Sequence, residues 1–248
     1  MAENRGRQYS WATHYHGSDQ RMTSLFEHYP DRPRSAPCQS AFIILCNAHD
    51  TTTSFLDIFN SVRATRGARG APTDEEQDLL RACLVFAGAA LDSMAKQLVR
   101  DALPTVIDGV PGAQAMLKQH VERHILRGLP ATGIELLAEV LVDPQPRHLL
   151  IAKLVEDLTS GSLQSGEEVM RIGSYFDIPS SKLVSDPPLL QKIFNARNQI
   201  VHEMDVDFSQ VNRNRRSRSR TTIIQFTNEL FRVAEALLGE VDSRALSG

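Results

Sequence analysis

Apolar residues recur along most of the chain at intervals of three, four and seven, which is the spacing of an amphipathic helix. The longest such stripe follows Thr73–Glu76, a T-x-x-E sequence with the form of a capping box at a helix start. We predict a helix of about thirty residues here, ended by Pro104. Its apolar face consists of Leu80, Leu84, Ala87, Leu91, Met94, Leu98 and Ala102.

Further helices are predicted on both sides of this one. A first helix is expected from about Gln39 to Arg63, where the TTTS run at 51–54 could interrupt it. Gly and Pro separate shorter helices near 112–127, 132–142, 145–159 and 166–174. Pro187 and Pro188 suit the start of a helix that runs to about Glu203, and a last helix carries Ile223, Phe226, Leu230 and Leu237 before Gly239 ends it. Little of the chain alternates like a strand, so the predicted fold is an all-α helical bundle.

The composition indicates one large domain with a polar N-terminal extension. The chain has 248 residues, 42% of them hydrophobic and 23% charged, which is enough to bury a sizeable core. Residues 1–37 are polar and contain three of the prolines, so we expect a partly ordered arm. Residues 38–248 are expected to form a single helical domain, in which 105–186 is either an insertion or a cap.

Hydropathy and cysteine content favour a soluble protein of a reducing compartment. No run of eighteen apolar residues occurs, and the N-terminal residues lack the apolar segment of a signal peptide. A cytoplasmic location without membrane association is therefore expected. Cys38, Cys46 and Cys83 are odd in number and lack CxxC spacing, so we predict reduced core residues.

Most motifs that would signal a metal or a cofactor are missing. His120 and His124 lie one helical turn apart, but HVERH is not HExxH, and no third ligand is close in sequence. The chain contains no GxxxxGK[ST] loop, no GxGxxG after a strand and no GxSxG elbow. Neither a metal site nor a cofactor is predicted.

One cation falls inside an apolar stripe. The helix that begins at Pro187 has its apolar positions at Leu190, Ile193, Phe194, Ile200, Val201 and Met204, and Arg197 lies in their middle. Burying an unpaired guanidinium costs several kcal/mol, so Arg197 needs an anionic partner or an open groove. One interpretation is an internal salt bridge to a carboxylate such as Asp92. The other is a groove that continues across a subunit boundary and holds a ligand's phosphate.

Two polar residues accompany Arg197 on the same helix. Asn198 and His202 are four positions apart and therefore share one side of it. Arg197 and His202 are five apart, a separation that a long guanidinium side chain can cover if the helix end loosens. Arginine binds phosphate through a bidentate fork, and histidine exchanges protons near neutral pH. Arg197, Asn198 and His202 are therefore the candidate catalytic residues.

The positive charge is concentrated after this helix. The net charge of the chain is −3, but residues 191–220 carry +4, which leaves −7 for the remainder. Such a block could form a local phosphate-binding surface or simply a solvated loop. The candidate RNA-binding residues in it are Lys192, Arg213, Arg215, Arg216, Arg218 and Arg220.

The sequence ARNQIVH at 196–202, with R-N-x-x-x-H on a late helix of an all-α protein, resembles the signature of the HEPN superfamily (higher eukaryotes and prokaryotes nucleotide-binding domains). The helix LLRACLVFAGAALDSMAKQLVRDALP at 79–104 is similar to the helix that precedes this signature in the RNA-repair-associated, RiboL-PSP-like branch. The resemblance covers roughly 74–104 and 187–238. Residues 105–186 have no counterpart in it.

The resemblance implies an up-and-down HEPN-like bundle that dimerises through the motif helices. It also implies a metal-independent endoribonuclease that cleaves RNA by attack of the 2′-hydroxyl, in a toxin or phage-defence effector with a neutralising antitoxin or other regulatory partner. Arg197 would stabilise the charge of the transition state, His202 would transfer protons and Asn198 would orient the site. Met204 occupies the place of the tyrosine found in toxins silenced by nucleotidylation. The alternative is a non-catalytic helical dimer that binds RNA, a nucleotide or a protein partner.

Overall fold

A computed structural model describes residues 30–67, 70–123 and 130–247. These residues form a 3₁₀ turn at Ala36–Cys38 and ten α-helices. The helices are α1 (Gln39–Thr65), α2 (Asp74–Asp101), α3 (Leu103–Gly109), α4 (Pro111–Val121), α5 (Pro130–Val142), α6 (Pro146–Ser160), α7 (Gly166–Tyr175), α8 (Ser180–Leu183), α9 (Pro187–Glu203) and α10 (Arg220–Ala245). Across these ranges no strand forms, only an isolated antiparallel bridge between Val206 and Arg215. The all-α prediction is confirmed.

Helix α2 lies at the centre of the core. The predicted capping box forms, because the Thr73 hydroxyl accepts from Glu76 N at 3.3 Å and the Glu76 carboxylate accepts from Thr73 N at 2.9 Å. All seven positions of the predicted apolar stripe are buried. Helix α2 packs mainly against α1 and α10 and also contacts α6 and α9. In the described chain it is the one helix long and apolar enough to span a membrane, a test that the core helix of a soluble protein also passes.

Helix α1 is continuous through the TTTS run. The hydroxyls of Thr51, Thr52 and Ser54 donate to backbone carbonyls four residues earlier, at 2.8–2.9 Å. These bonds satisfy the side chains without displacing the helical backbone. The interruption suggested by the sequence does not occur.

The predicted end of the last helix at Gly239 is wrong. Helix α10 runs on to Ala245, and Val241 and Asp242 are buried in its continuation. The Asp242 carboxylate accepts from Arg34 N at 3.1 Å and from Ser35 N at 2.7 Å. Burial and these two hydrogen bonds outweigh the small helix penalty of one glycine.

The middle of the chain packs onto the central helices. Helix α6 contacts α2, and α7 contacts α9. The loop between α6 and α7 is tied to α2, because Leu163 N donates to Asp92 Oδ1 at 2.8 Å. A second hydrogen bond, from Asn198 Nδ2 to the Gln164 carbonyl at 3.2 Å, places the 161–165 loop beside α9, which carries the R-N-x-x-x-H motif. Helices α3 and α8 were not predicted, since α3 begins with Pro104 in its first turn and α8 is only one turn long.

The cysteine prediction agrees with the burial. Cys38 and Cys83 are buried free thiols, and Cys46 is half-buried. Burial raises the pKa of the Cys83 thiol to about 12. Of the predicted N-terminal arm, residues 1–29 lie outside the described residues.

Candidate functional site

The motif helix α9 starts in the core and ends at the surface. Asp186 caps it by accepting from Leu189 N at 2.9 Å, and prolines occupy its first turn. Leu190, Ile193 and Phe194 are buried as predicted. The later stripe positions differ from the prediction: Val201 is 39% exposed and Met204 is 67% exposed. The apolar stripe thus continues onto a face that the rest of the described chain does not cover.

Arg197 lies where this stripe leaves the core. Its side chain passes directly over α2 at Gly88, where an added β-carbon would lie 3.3 Å from Arg197 Cγ. Within the described ranges no carboxylate forms an ion pair with Arg197. Asp92 instead pairs with Lys96 at 2.9 Å, so the salt bridge considered from the sequence does not form. Arg197 Nε is buried and has no hydrogen-bond partner among the described residues.

Asn198 holds the guanidinium in place. Arg197 Nη1 donates to Asn198 Oδ1 at 3.0 Å, and Asn198 Nδ2 donates to the Gln164 carbonyl at 3.2 Å. Because a guanidinium only donates and a carbonyl only accepts, both ends of the amide are assigned by chemistry. The 161–165 loop therefore supports the orientation of the motif asparagine.

Asn198 and His202 line one surface pocket of about 280 Å³, together with Asn195, Gln199 and Glu203. Arg197 adjoins this pocket through Asn198 but does not line it. The structure thus brings together Asn198 and His202 as predicted. Arg197 is linked to them through its hydrogen bond to Asn198.

A buried ion-pair cluster fixes the turn that follows α9. Met204 and Asp205 both adopt left-handed backbone conformations, with φ of 51° and 62°. Asp205 is 0% exposed, and its carboxylate accepts from Arg81 Nε at 2.8 Å and from Arg218 Nε at 3.0 Å. Arg81 is itself only 3% exposed. We call Arg81, Asp205 and Arg218 the buried triad.

The triad also ties the chain after α9 to α2. Arg81 Nη2 donates to the Arg216 carbonyl at 3.0 Å, and Arg216 N donates to the Asp205 carbonyl at 2.8 Å. Burial alone would raise the pKa of Asp205, but hydrogen bonds from Arg218 and Arg81 lower it below its ordinary value. Asp205 is therefore a carboxylate whose charge is required by the folded state.

Several of the candidate RNA-binding arginines have partners within the protein. Arg215 pairs with Asp78 at 2.6 Å, Arg216 pairs with Glu203 at 2.9 Å, and Arg218 belongs to the buried triad. Hydrogen bonds from Arg215 and Arg81 lower the pKa of Asp78. Arg220 Nε donates to Asn60 Oδ1 at 3.2 Å.

The remaining two candidate RNA-binding residues, Lys192 and Arg213, form no ion pair with a carboxylate of the described residues. Lys192 lies over the Phe226 ring at 5.9 Å, and Arg213 is exposed with φ of 46°. Much of the positive charge that the sequence suggested for phosphate thus neutralises carboxylates of the same chain.

Sequence reasoning did not single out Gly88, Arg81, Asp205 or Gln199. Asp205 follows His202 by three residues, but its buried partner Arg81 is 124 positions away in the chain. No periodic pattern signals such a pair. Two consecutive left-handed residues directly after the helix are visible only in the structure.

Nothing in the described ranges brings together three or more His, Cys, Asp or Glu side chains that could hold a metal ion. His120 is buried and contacts the Tyr175 ring edge-on at 6.3 Å, whereas His124 lies outside the described residues. No family model, no curated protein and no solved structure matches the chain. The resemblance to the HEPN superfamily therefore depends on the motif residues and their helices.

Proposed function

We propose that this protein is a metal-independent endoribonuclease of the HEPN type, acting as a toxin or phage-defence effector. The observation that carries the proposal is that Arg197 has no carboxylate partner in the described chain. Its guanidinium emerges at the edge of the core, held by Asn198 and unmatched by any carboxylate of the described chain. A guanidinium that is held in place and not paired with a carboxylate can bind a phosphate. The pocket beside Arg197 is lined by His202.

The chemistry follows from these groups. A base removes the proton from the ribose 2′-hydroxyl, whose oxygen attacks the adjacent phosphorus. The bond from phosphorus to the 5′-oxygen breaks, and an acid protonates that leaving oxygen. Arg197 stabilises the negative charge of the pentacoordinate phosphorus, and His202 supplies proton transfer.

A single histidine does not readily serve as base and acid on opposite sides of one phosphorus. A dimer through α9 would supply the partner subunit's His202 as the second group. The uncovered apolar residues support such a dimer, since Val201 and Met204 at the end of α9 are followed by Phe208 and Val211, which are 61% and 99% exposed. These four exposed apolar side chains all lie within residues 201–211, and a concentration of exposed apolar surface is typical of an interaction site.

The dimer is tested in solution. We expect light scattering to give twice the chain mass of 27.6 kDa. Met204→Asp should shift the protein toward the monomer, because it places a charge on the uncovered face. Leu246→Asp, at another exposed apolar position just after the end of α10, serves as the control and should leave the mass unchanged. A wild-type monomer at all concentrations contradicts the dimer.

The reaction is tested by its products and its metal requirement. Incubation with total RNA should yield fragments with 2′,3′-cyclic phosphate ends, and EDTA should leave the rate unchanged, since the nucleophile is the 2′-hydroxyl and the charge is stabilised by Arg197. End-group analysis with a phosphatase-dependent label distinguishes these ends from 3′-hydroxyls. Cleavage only with an added divalent ion, or 3′-hydroxyl ends, overturns the proposal. RNA binding without cleavage supports the non-catalytic alternative.

A further inference from the structure

The pocket beside Arg197 is lined by amide side chains whose oxygen atoms are already in use. Asn198 Oδ1 accepts from Arg197, and Gln199 Oε1 accepts from Arg218 Nη2 at 3.0 Å. Asn195 Oδ1 accepts from Gln191 Nε2 at 2.9 Å. Asn198 Nδ2 already donates to the Gln164 carbonyl, so among the lining amides the NH₂ groups of Gln199 and Asn195 remain as donors.

The orientation of Gln199 is dictated by chemistry. A guanidinium has five donors and no acceptor, so the Gln199 atom that Arg218 meets is the oxygen. Gln199 Nε2 then has both hydrogens available, and within the described residues it donates to none of the protein's acceptors. Gln199 lies on α9 between Asn198 and His202 and is one of the residues that line the pocket.

The buried triad keeps this arrangement from reversing. Arg218 is held by Asp205, and Asp205 is held in turn by Arg81 on α2. Turning the Gln199 amide over would set its NH₂ against the guanidinium, and the Arg218 N–H that now meets Gln199 Oε1 would lose its acceptor. The donor is thus preorganised before any ligand binds.

We infer that Gln199 is a substrate-binding residue, whose Nε2 donates to an acceptor oxygen of the RNA in the pocket beside the scissile phosphate. The inference rests on the proposed function, because it takes RNA as the ligand. The acceptor oxygen belongs either to a neighbouring phosphate or to a base carbonyl, since both groups carry oxygen atoms that accept hydrogen bonds. Arg218 is a positioning residue that acts through Gln199.

Gln199→Glu is the sharpest test. The carboxylate keeps an acceptor for Arg218 and so retains the fold, but it presents an acceptor to the pocket where the amide presented a donor. Binding is measured with fully 2′-O-methylated RNA of mixed sequence, which the wild type cannot cut because the nucleophile is blocked. We expect Kd to rise about tenfold or more.

Two control variants separate loss of the donor from added charge. Gln199→Met removes the donor without adding charge, and it should also weaken binding about tenfold. Gln119→Glu adds the same charge at an exposed position of α4, outside the pocket lining, and it should leave Kd within about twofold. Weakening by Gln199→Glu but not by Gln199→Met would show charge repulsion alone and would overturn the inference.

The same RNA with abasic positions identifies the acceptor. If the oxygen belongs to a phosphate, Gln199→Glu weakens binding of the abasic and the base-bearing RNA equally. If it belongs to a base, only the base-bearing RNA is affected. Wild-type binding that both Gln199 variants leave unchanged overturns the role of Gln199 and spares the proposed function, whereas a wild type that neither binds nor cleaves RNA overturns both.

Discussion

Arg197→Ala and His202→Ala should each reduce the rate of RNA cleavage by a factor of about 10² to 10⁴. Arg197 is expected to stabilise charge that develops only in the transition state, and His202 to move the protons. Either loss should therefore act on kcat more than on KM. Initial rates on a labelled RNA, measured at saturating substrate, provide the comparison.

The fold should survive both changes. Arg197 forms no ion pair in the described chain, and His202 is exposed at the end of α9, so neither substitution removes a buried charge partner. Arg171→Ala and His148→Ala are matched controls, since both side chains are exposed and neither lines the pocket. Cleavage that persists in Arg197→Ala and His202→Ala would place the chemistry elsewhere in the chain.

Asp205→Asn should lower the free energy of unfolding by about 3 kcal/mol, because it removes the buried charge that Arg81 and the partly buried Arg218 share, although Arg81 keeps its pair with Asp78. Asparagine tolerates the left-handed backbone at this position, so the change isolates the charge. Since a domain is typically stable by about 5–15 kcal/mol, the loss is a large fraction of the whole. Urea unfolding followed by circular dichroism measures it.

Glu203→Gln is the matched control for this prediction. Glu203 also pairs with an arginine, Arg216, but its side chain is 40% exposed, so its removal should cost no more than about 1 kcal/mol. Equal losses of unfolding free energy in the two variants would show that the buried triad stabilises the fold no more than an exposed ion pair does. The turn that carries the chain away from His202 would then have to be stabilised by its backbone contacts.

The pH dependence of stability should follow from the same carboxylate. The pKa of Asp205 is lowered in the folded state, so its stabilising contribution is fully present above the unfolded pKa of about 3.9. That contribution is lost as the pH falls through the folded pKa. The difference in unfolding free energy between wild type and Asp205→Asn should therefore be constant from about pH 5 to 8 and narrow below about pH 4. A difference that widens in acid would contradict the ion-pair account.

Local patterns were sufficient to predict most helices. The Thr73–Glu76 capping box and the apolar stripe after it predicted α2, and Pro187 with the following stripe predicted α9 to its last residue, Glu203. These signals succeed because capping and periodic burial involve residues only a few positions apart. They failed at Gly239, where contacts from Arg34 and Ser35 stabilise a helix that the local sequence would end.

The state of the charged residues was decided by the tertiary structure. The sequence by itself determined that Arg197 would emerge from an apolar stripe next to Asn198, with His202 one turn further on. It could not show that Asp92 pairs with Lys96, or that Arg218 and Arg81 meet at Asp205, because those partners depend on how α2, α9 and the segment before α10 pack. The strength of an ion pair depends on the distance between the charges and on their burial, and spacing along the chain specifies neither.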